Sequence, residues 1–192
     1  NIPEWFIESC KKISYLFPRA HAVAYVMMAF RIAWFKVYHP LAFYAAYFSI
    51  RAKAFDLRIM TGDLKTQMTE FNRIKALDRA ASPKDKDLMS ALEVSMEMYQ
   101  RGYRFINVDI QHSEARRFSI KDGALLPPFL AIDSLGETVA DAIVAEREER
   151  PFTSLKDLQR RCKVSNTIID LMKELKCCGE LPEDEQMSLF GA

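Results

Sequence analysis

Residues 17–48 read FPRAHAVAYVMMAFRIAWFKVYHPLAFYAAYF, and the helical character of the chain turns on this stretch. From Ala22 to Phe35 only Arg31 interrupts a run of apolar residues, and neither glycine nor proline occurs between Pro18 and Pro40. A helix of about five turns fits there without a breaker. It is apolar nearly all round, the pattern of a helix buried inside a protein. Spanning a bilayer takes about 20 apolar residues free of charge, whereas Arg31 and Lys36 lie inside this run and Arg19 and His21 open it. A membrane span is therefore not expected. His21 and Tyr25, four residues apart, share a face of the first turns beside Arg19. Taken alone, a histidine at a helix start is an ordinary, satisfied residue.

Working outward, residues 2–17 (IPEWFIESCKKISYLF) predict a preceding helix, with Pro3 in its first turn and Glu4 and Glu8 near the positive end of its dipole. Ile2, Trp5, Phe6, Ile13, Leu16 and Phe17 supply its apolar side, leaving Lys11, Lys12 and Tyr15 on another. Pro18 breaks the chain, so Lys11, Lys12, Tyr15, Phe17, Arg19, His21 and Tyr25 are expected at one corner. Cations, a histidine donor and aromatic faces suit a nucleoside triphosphate: charge for the phosphates, a flat ring for the base. On the other side Pro40 opens a third helix, PLAFYAAYFSIRAKAF. Its Leu41, Tyr44, Ala45 and Phe48 recur at helical spacing and are expected to pack on the long helix.

The string from Ser9 to Phe48 resembles the fingers of the bacterial replicative DNA polymerases, the C-family alpha subunits, most closely those of PolC type. The matching positions are Phe17, Pro18, Arg19, Ala20, His21, Ala22, Ala24 and Tyr25, then Phe35, Lys36, His39, Pro40 and Phe43 to Ala46. The resemblance implies that the corner lies over the incoming deoxynucleotide and the nascent base pair. Tyr15 and Phe17 would pack near the base, and Lys11, Lys12, Arg19 and His21 would face triphosphate or template. Arg31 and Lys36 are expected as internal ion-pair partners.

The chain has 192 residues, 49% of them hydrophobic, enough for a real core and for one or two domains. It begins at Asn1 rather than methionine, as a processed product or a piece of a longer chain would. No signal peptide is visible. Cys10, Cys162, Cys177 and Cys178 form no CxxC pair and no zinc spacing, and read as reduced thiols of a cytoplasmic protein. The net charge of +1 hides an uneven distribution. Residues 1–60 carry eight Lys/Arg against three Asp/Glu, and residues 180–192 carry four acids and no base. The first end favours phosphates and the last does not, although a charge excess is as often a solvated face.

Beyond the third helix, Asp63 should cap a helix running to about Ala81, and Ser82-Pro83 should start another ending near Gly102, with Leu88, Leu92, Met96 and Tyr99 inward. The KDKD of residues 84–87 is read as dipole partners at a helix start rather than as a metal site. From Tyr103 the pattern turns β-like. Phe105, Val108 and Ile110 suggest a strand, and RRFSIKDGALL suggests a hairpin turning at Asp122-Gly123. Arg116, Arg117 and Lys121 are placed on its exposed positions, free to meet a DNA backbone or nothing.

Ser134-Leu135-Gly136 sits directly before an amphipathic helix with Val139, Ile143 and Val144 inward. This resembles a helix-hairpin-helix element, whose backbone N–H groups hold a phosphate without reading sequence. The usual first glycine is replaced by Ser134, which restricts the turn. Residues 151–183 (PFTSLKDLQRRCKVSNTIIDLMKELKCCGELPE) also match the polymerase family and look like a second, degenerate copy. Arg160, Arg161, Lys163 and Asn166 are its candidate backbone contacts. The tail's Gln186-Met187-Ser188-Leu189-Phe190 is similar to the sliding-clamp-binding peptide of bacterial replication proteins, with Gln186, Leu189 and Phe190 as anchors.

Phosphoryl transfer by a polymerase needs carboxylates holding two metal ions, and no Asp-x-Asp cluster on a strand is present. In the resembled family those carboxylates and their Mg belong to the palm. This piece is thus expected to bind no cofactor and to be inactive alone. The sequence reading is a mainly α chain: fingers helices (1–102), a small β element and connector (103–130), tandem helix-hairpin-helix region (131–179) and a flexible clamp-binding tail (180–192). Its implied partners are primer-template DNA, incoming dNTP, the sliding clamp and the remaining polymerase domains, with no membrane. The alternative is a stand-alone helix-hairpin-helix module that binds duplex DNA and recruits a clamp but has no nucleotide pocket. A helical membrane-surface protein, a third reading, rests on the apolar run alone.

Overall fold

The computed structural model describes residues 2–13 and 18–184. Tyr15, Phe17, Gln186, Leu189 and Phe190 lie outside the described residues, so their expected roles carry no geometry. The chain divides into two compact units, Asn1–Pro40 and Leu41–Ala192.

The first unit holds α1 (Glu4–Lys11) and α2 (Arg19–Tyr38). Pro3 and Pro18 sit at their N-caps in extended conformation, and His39 ends α2 just before the next proline. The breakers act where the sequence places them because proline lacks the N–H that would continue a helix. The first helix is shorter than expected, ending at Lys11. A larger departure concerns α2, which reads as a buried helix yet has no buried residue; Phe30 is 72% exposed. Apolar patterning on every face does not by itself place the surface that would cover a helix within these residues. Among the described residues it alone is long and apolar enough to cross a membrane by length and composition, with Arg31 and Lys36 inside it.

The second unit is mainly helical: α3 (Pro40–Ile50), the one-turn α4 (Leu57–Met60), α5 (Leu64–Leu77), α6 (Pro83–Gln100), the strands β1 (Ser119–Lys121) and β2 (Ala124–Leu126), then α7 (Glu137–Glu149), α8 (Leu155–Cys162) and α9 (Asn166–Glu174). The caps follow the sequence signals. Asp63 accepts from the backbone N–H of Thr66, and Ser82 forms a capping box with Asp85 ahead of Pro83. Asp85 is thereby a capping residue, as the dipole reading of KDKD requires.

Two apolar clusters fill this unit. One gathers Tyr44 and Phe48 of α3 with Met60, Ile74, Leu88, Leu92, Met98, Phe105, Phe118 and Leu125. The aromatic face of α3 is buried here, against α4–α6 and the hairpin. The inner stripe of α6 is Leu88, Ala91, Leu92, Ser95 and Met98, with Met96 and Tyr99 only partly buried. Ser95 fits inside because its hydroxyl donates to Gln67 Oε1 at 2.6 Å, and Gln67 in turn donates to the Met60 carbonyl. The other cluster gathers Val108, Ile110, Phe129, Ile132, Leu135, Ile143, Leu158 and Met172.

The predicted strand at Phe105, Val108 and Ile110 is not one. Phe105 makes an isolated parallel bridge to Leu125 and enters the first cluster, while Val108 and Ile110 enter the second. The segment alternates because it links two cores, not because it pairs along a sheet. The hairpin is as read: Ser119–Lys121 pairs antiparallel with Ala124–Leu126. Asp122 and Gly123 have φ of 50° and 73°, the left-handed pair that a two-residue turn with native twist demands.

Candidate nucleic-acid interface

Two turns in the second unit share one backbone design. In the first, Ser134 adopts φ 64°, Leu135 is buried, and Gly136 is the extended N-cap of α7. In the second, Lys163 adopts φ 57°, Val164 is buried, and Ser165 is the extended N-cap of α9. A left-handed residue reverses the chain, the apolar residue pins it to the core, and the next helix begins there; no side chain caps the first N–H groups of α7, whereas Ser165 Oγ accepts from the Ile168 N–H at the start of α9. Ser134 takes the conformation in which glycine was expected, so the missing glycine does not prevent the turn. A Cβ on Gly136 would meet nothing within 4 Å. That glycine is required neither by φ nor by packing within the chain; it leaves the approach to the α7 N-terminus open.

The copies differ in ways the sequence reading did not anticipate. The first is preceded only by a 3-10 turn, Phe129–Ala131, and Glu137 stands in the first turn of α7. Arg116 bonds Asp141 and Glu137, at 2.5 Å to each carboxylate, and so is engaged with acids rather than left to contact a backbone. The second copy, poorer in sequence, is complete in structure: α8, turn, α9, with no acid in the first turn of α9. Gln159 and Asn166 bond across the turn, and Lys163 projects from its tip in an exposed position.

Of the other basic candidates, Arg160 is largely exposed and donates to Asp157, whereas Arg161 is internal, its side chain only 11% exposed. Arg161 binds Glu146 Oε2 at 2.9 Å, Asp157 at 3.3 Å and the carbonyls of Arg150 and Glu146, and lies 4.7 Å over the Phe152 ring. It ties α8 to α7 and is not placed to meet DNA. The hub of this arrangement is Asp157, which sequence reasoning missed. Its carboxylate, fully buried, also accepts from Arg150 at 3.2 Å and from the Thr153 N–H at 3.3 Å, and its own N–H donates to the Ser154 cap. Burial opposes its ionisation, but the bonds from Arg160, Thr153 and Arg161 and the charge of Arg150 outweigh it and hold its pKa below the ordinary range. The signal was available: Asp157 and Arg161 stand at i and i+4 among Leu155, Leu158 and Cys162, the buried face of α8.

His21 and Tyr25 stack edge-on with ring centroids 4.5 Å apart, near Arg19 at the start of α2. Lys11 bonds Glu8 at 2.8 Å, and Lys12 is the C-cap of α1. Arg31 donates to Met28 Sδ, and α2 holds no acid to pair with it. Burial pushes the thiols of Cys162 and Cys177 up to about 11 and about 12, so both stay protonated at neutral pH. Among the described residues no group of three or more His, Cys, Asp or Glu is placed to hold a metal.

Comparison with known proteins supports this geometry. A family model described as a helix-hairpin-helix motif matches residues 102–186, which contain both turns. DNA polymerase III PolC-type of Caldanaerobacter subterraneus subsp. tengcongensis is 49% identical over 190 residues, 99% of this chain and 14% of the relative. The protein of the same name from Streptococcus pyogenes is 48% identical over 193 residues, 99% of this chain and 13% of the relative. The chain matches PolC-type DNA polymerase III. The match takes in the long apolar helix and both turns, while spanning about one seventh of the PolC-type relatives' length.

Asp157→Asn should therefore destabilise the chain, because it leaves the Arg161 guanidinium buried with one fewer anion; a loss of about 1–3 kcal/mol is expected in urea unfolding at neutral pH. Since folding lowers the Asp157 pKa, its contribution is complete above the unfolded value near 3.8 and disappears as pH falls through the folded value. The gap between wild type and variant should narrow below pH about 3.8.

Proposed function

We propose that this chain is the substrate-positioning part of a replicative DNA-directed DNA polymerase, with α1 and α2 serving as fingers and the paired turns holding the primer-template duplex. The observation that carries the reading is the recurrence of a left-handed residue, a buried apolar residue and a helix N-terminus at Ser134-Leu135-Gly136 and Lys163-Val164-Ser165. N–H groups so presented bind phosphates of any sequence, which is what a polymerase needs to hold DNA while translocating.

At the first turn, Ser134, Leu135 and Gly136 would approach the backbone. At the second, Lys163 and Asn166 would do so, flanked by Arg160. The corner of Lys11, Lys12, Tyr15, Phe17, Arg19, His21 and Tyr25 would receive the incoming dNTP and the template base. Nucleotidyl transfer would be carried out elsewhere in the polymerase, on palm carboxylates with Mg, and the piece alone would be inactive. Gln186, Leu189 and Phe190 would dock the sliding clamp, and the whole would work in the cytoplasm.

Three outcomes test this. Lys163→Glu should weaken binding of a short duplex roughly tenfold and lower the log–log salt slope by about 1; unchanged affinity would remove the second turn from the interface. In primer extension by the complete polymerase, His21→Ala should raise the apparent KM for dNTP or lower kcat while leaving duplex affinity alone, and wild-type kinetics would overturn the corner. Deleting residues 186–190 should abolish clamp binding in a pull-down with duplex affinity retained; a clamp that still binds would remove the tail's role.

A further inference from the structure

The second unit contains an open cleft of about 680 Å³ that neither turn uses. Its walls come from the loop after α3, the first turns of α6, the segment before β1 and the 3-10 turn at Phe129–Ala131. The floor is aromatic. Phe55 lines the cleft half-buried, set edge-on to Phe118 at 5.0 Å and to Phe105 at 5.1 Å. These contacts fix the ring on an aromatic bed, so that its orientation is set before anything binds.

Around that floor stand Lys53 and Lys84, both exposed, and Asp87 and Asp133 also line the cleft. Arg116 also lines the cleft, but its charge is engaged by Asp141 and Glu137. No ion pair is formed by Lys53 or Lys84 among the described residues, so both ammonium groups remain available to an anion. The combination is a fixed aromatic ring, two uncommitted cations and two carboxylates. A ring face stacks a base, cations hold the phosphates on either side, and carboxylates accept from base N–H groups, the thymine N3–H included. Stacking on Phe55 requires a base whose own neighbours have been removed, which excludes intact duplex. The cleft is open, so a strand can enter and leave it.

We infer that this cleft binds a nucleotide of single-stranded DNA, separate from the duplex-holding turns. The inference rests on the polymerase reading for the choice of DNA, since the cleft chemistry alone would accept any single strand. In a polymerase the strand available to it is the unpaired one.

The test uses the 192-residue chain and fluorescence anisotropy with labelled oligo(dT) and, separately, a duplex of mixed sequence. Lys53→Ala with Lys84→Ala should weaken oligo(dT) binding at least tenfold and reduce its log–log salt slope by about 1.4. Phe55→Leu, which keeps apolar volume and removes the flat face, should weaken it about five- to tenfold. Duplex affinity should stay within about twofold in these variants, while Lys163→Glu should do the reverse. Oligo(dT) carrying 5-iodouracil should cross-link at Phe55 or its neighbours. No binding of oligo(dT), undiminished binding in the double lysine variant, or cross-links only elsewhere would overturn the inference. Loss of single-strand binding alone, with Lys163→Glu silent toward duplex, would keep the cleft and remove the turn reading.

Discussion

The buried carboxylate of Asp157 is the interaction on which the second half of the chain depends. It draws on Arg150, the C-cap of α7, and on Arg160 and Arg161 of α8, and it joins them from the first turn of α8. An ion enclosed in this way stabilises only if each partner is satisfied. Here the Arg161 guanidinium also finds Glu146 and two backbone carbonyls, and covers Phe152. The cluster therefore fixes the angle between α7 and α8, and with it the position of Lys163. A surface basic residue could not do this, because exposed pairs contribute little and leave the backbone free to move.

The two turns are accordingly built from backbone geometry more than from reactive side chains. Both turns put a non-glycine residue in the left-handed region, a conformation that costs about 1 kcal/mol or more and persists because Leu135 and Val164 are locked into the same apolar cluster. Strain at the tip is held by burial one residue later. The two cysteines flanking this region, Cys162 and Cys177, are core residues whose thiols burial keeps neutral, so the region carries no obvious nucleophile. What it offers a partner is N–H groups, Lys163 and shape, which suits phosphate rather than base recognition.

Much of the local architecture was legible in sequence. Pro18, Pro40, Asp63 and Ser82-Pro83 marked helix starts, and Asp122-Gly123 marked the hairpin, because caps and breakers act through the bonds of one or two residues. The Ser134-Leu135-Gly136 turn was legible for the same reason. Less legible was anything that depends on a distant partner. Val108 and Ile110 alternate as a strand does, yet the alternation serves two cores. Arg161 reads as one more surface cation beside Arg160, and only its neighbours on α7 make it internal. The Lys163-Val164-Ser165 turn passed for degenerate because the pattern looks for glycine, while the backbone accepts a lysine that the core holds in place.

The long helix marks the boundary between the two kinds of knowledge. Its sequence alone determined that residues 19–38 are helical, where the helix starts and stops, and that nearly every face of it is apolar, since these follow from local bonding and side-chain chemistry. The sequence by itself also determined the element order, the caps and the resemblance to a polymerase. Only the tertiary structure decided that α2 is exposed within this chain, that α3 buries its aromatic face beside α5 and α6, that Arg161 is internal, and that Phe55 and two lysines share a cleft. Those outcomes depend on which surfaces meet across long separations, and burial is a property of the assembled pair rather than of either stretch read alone.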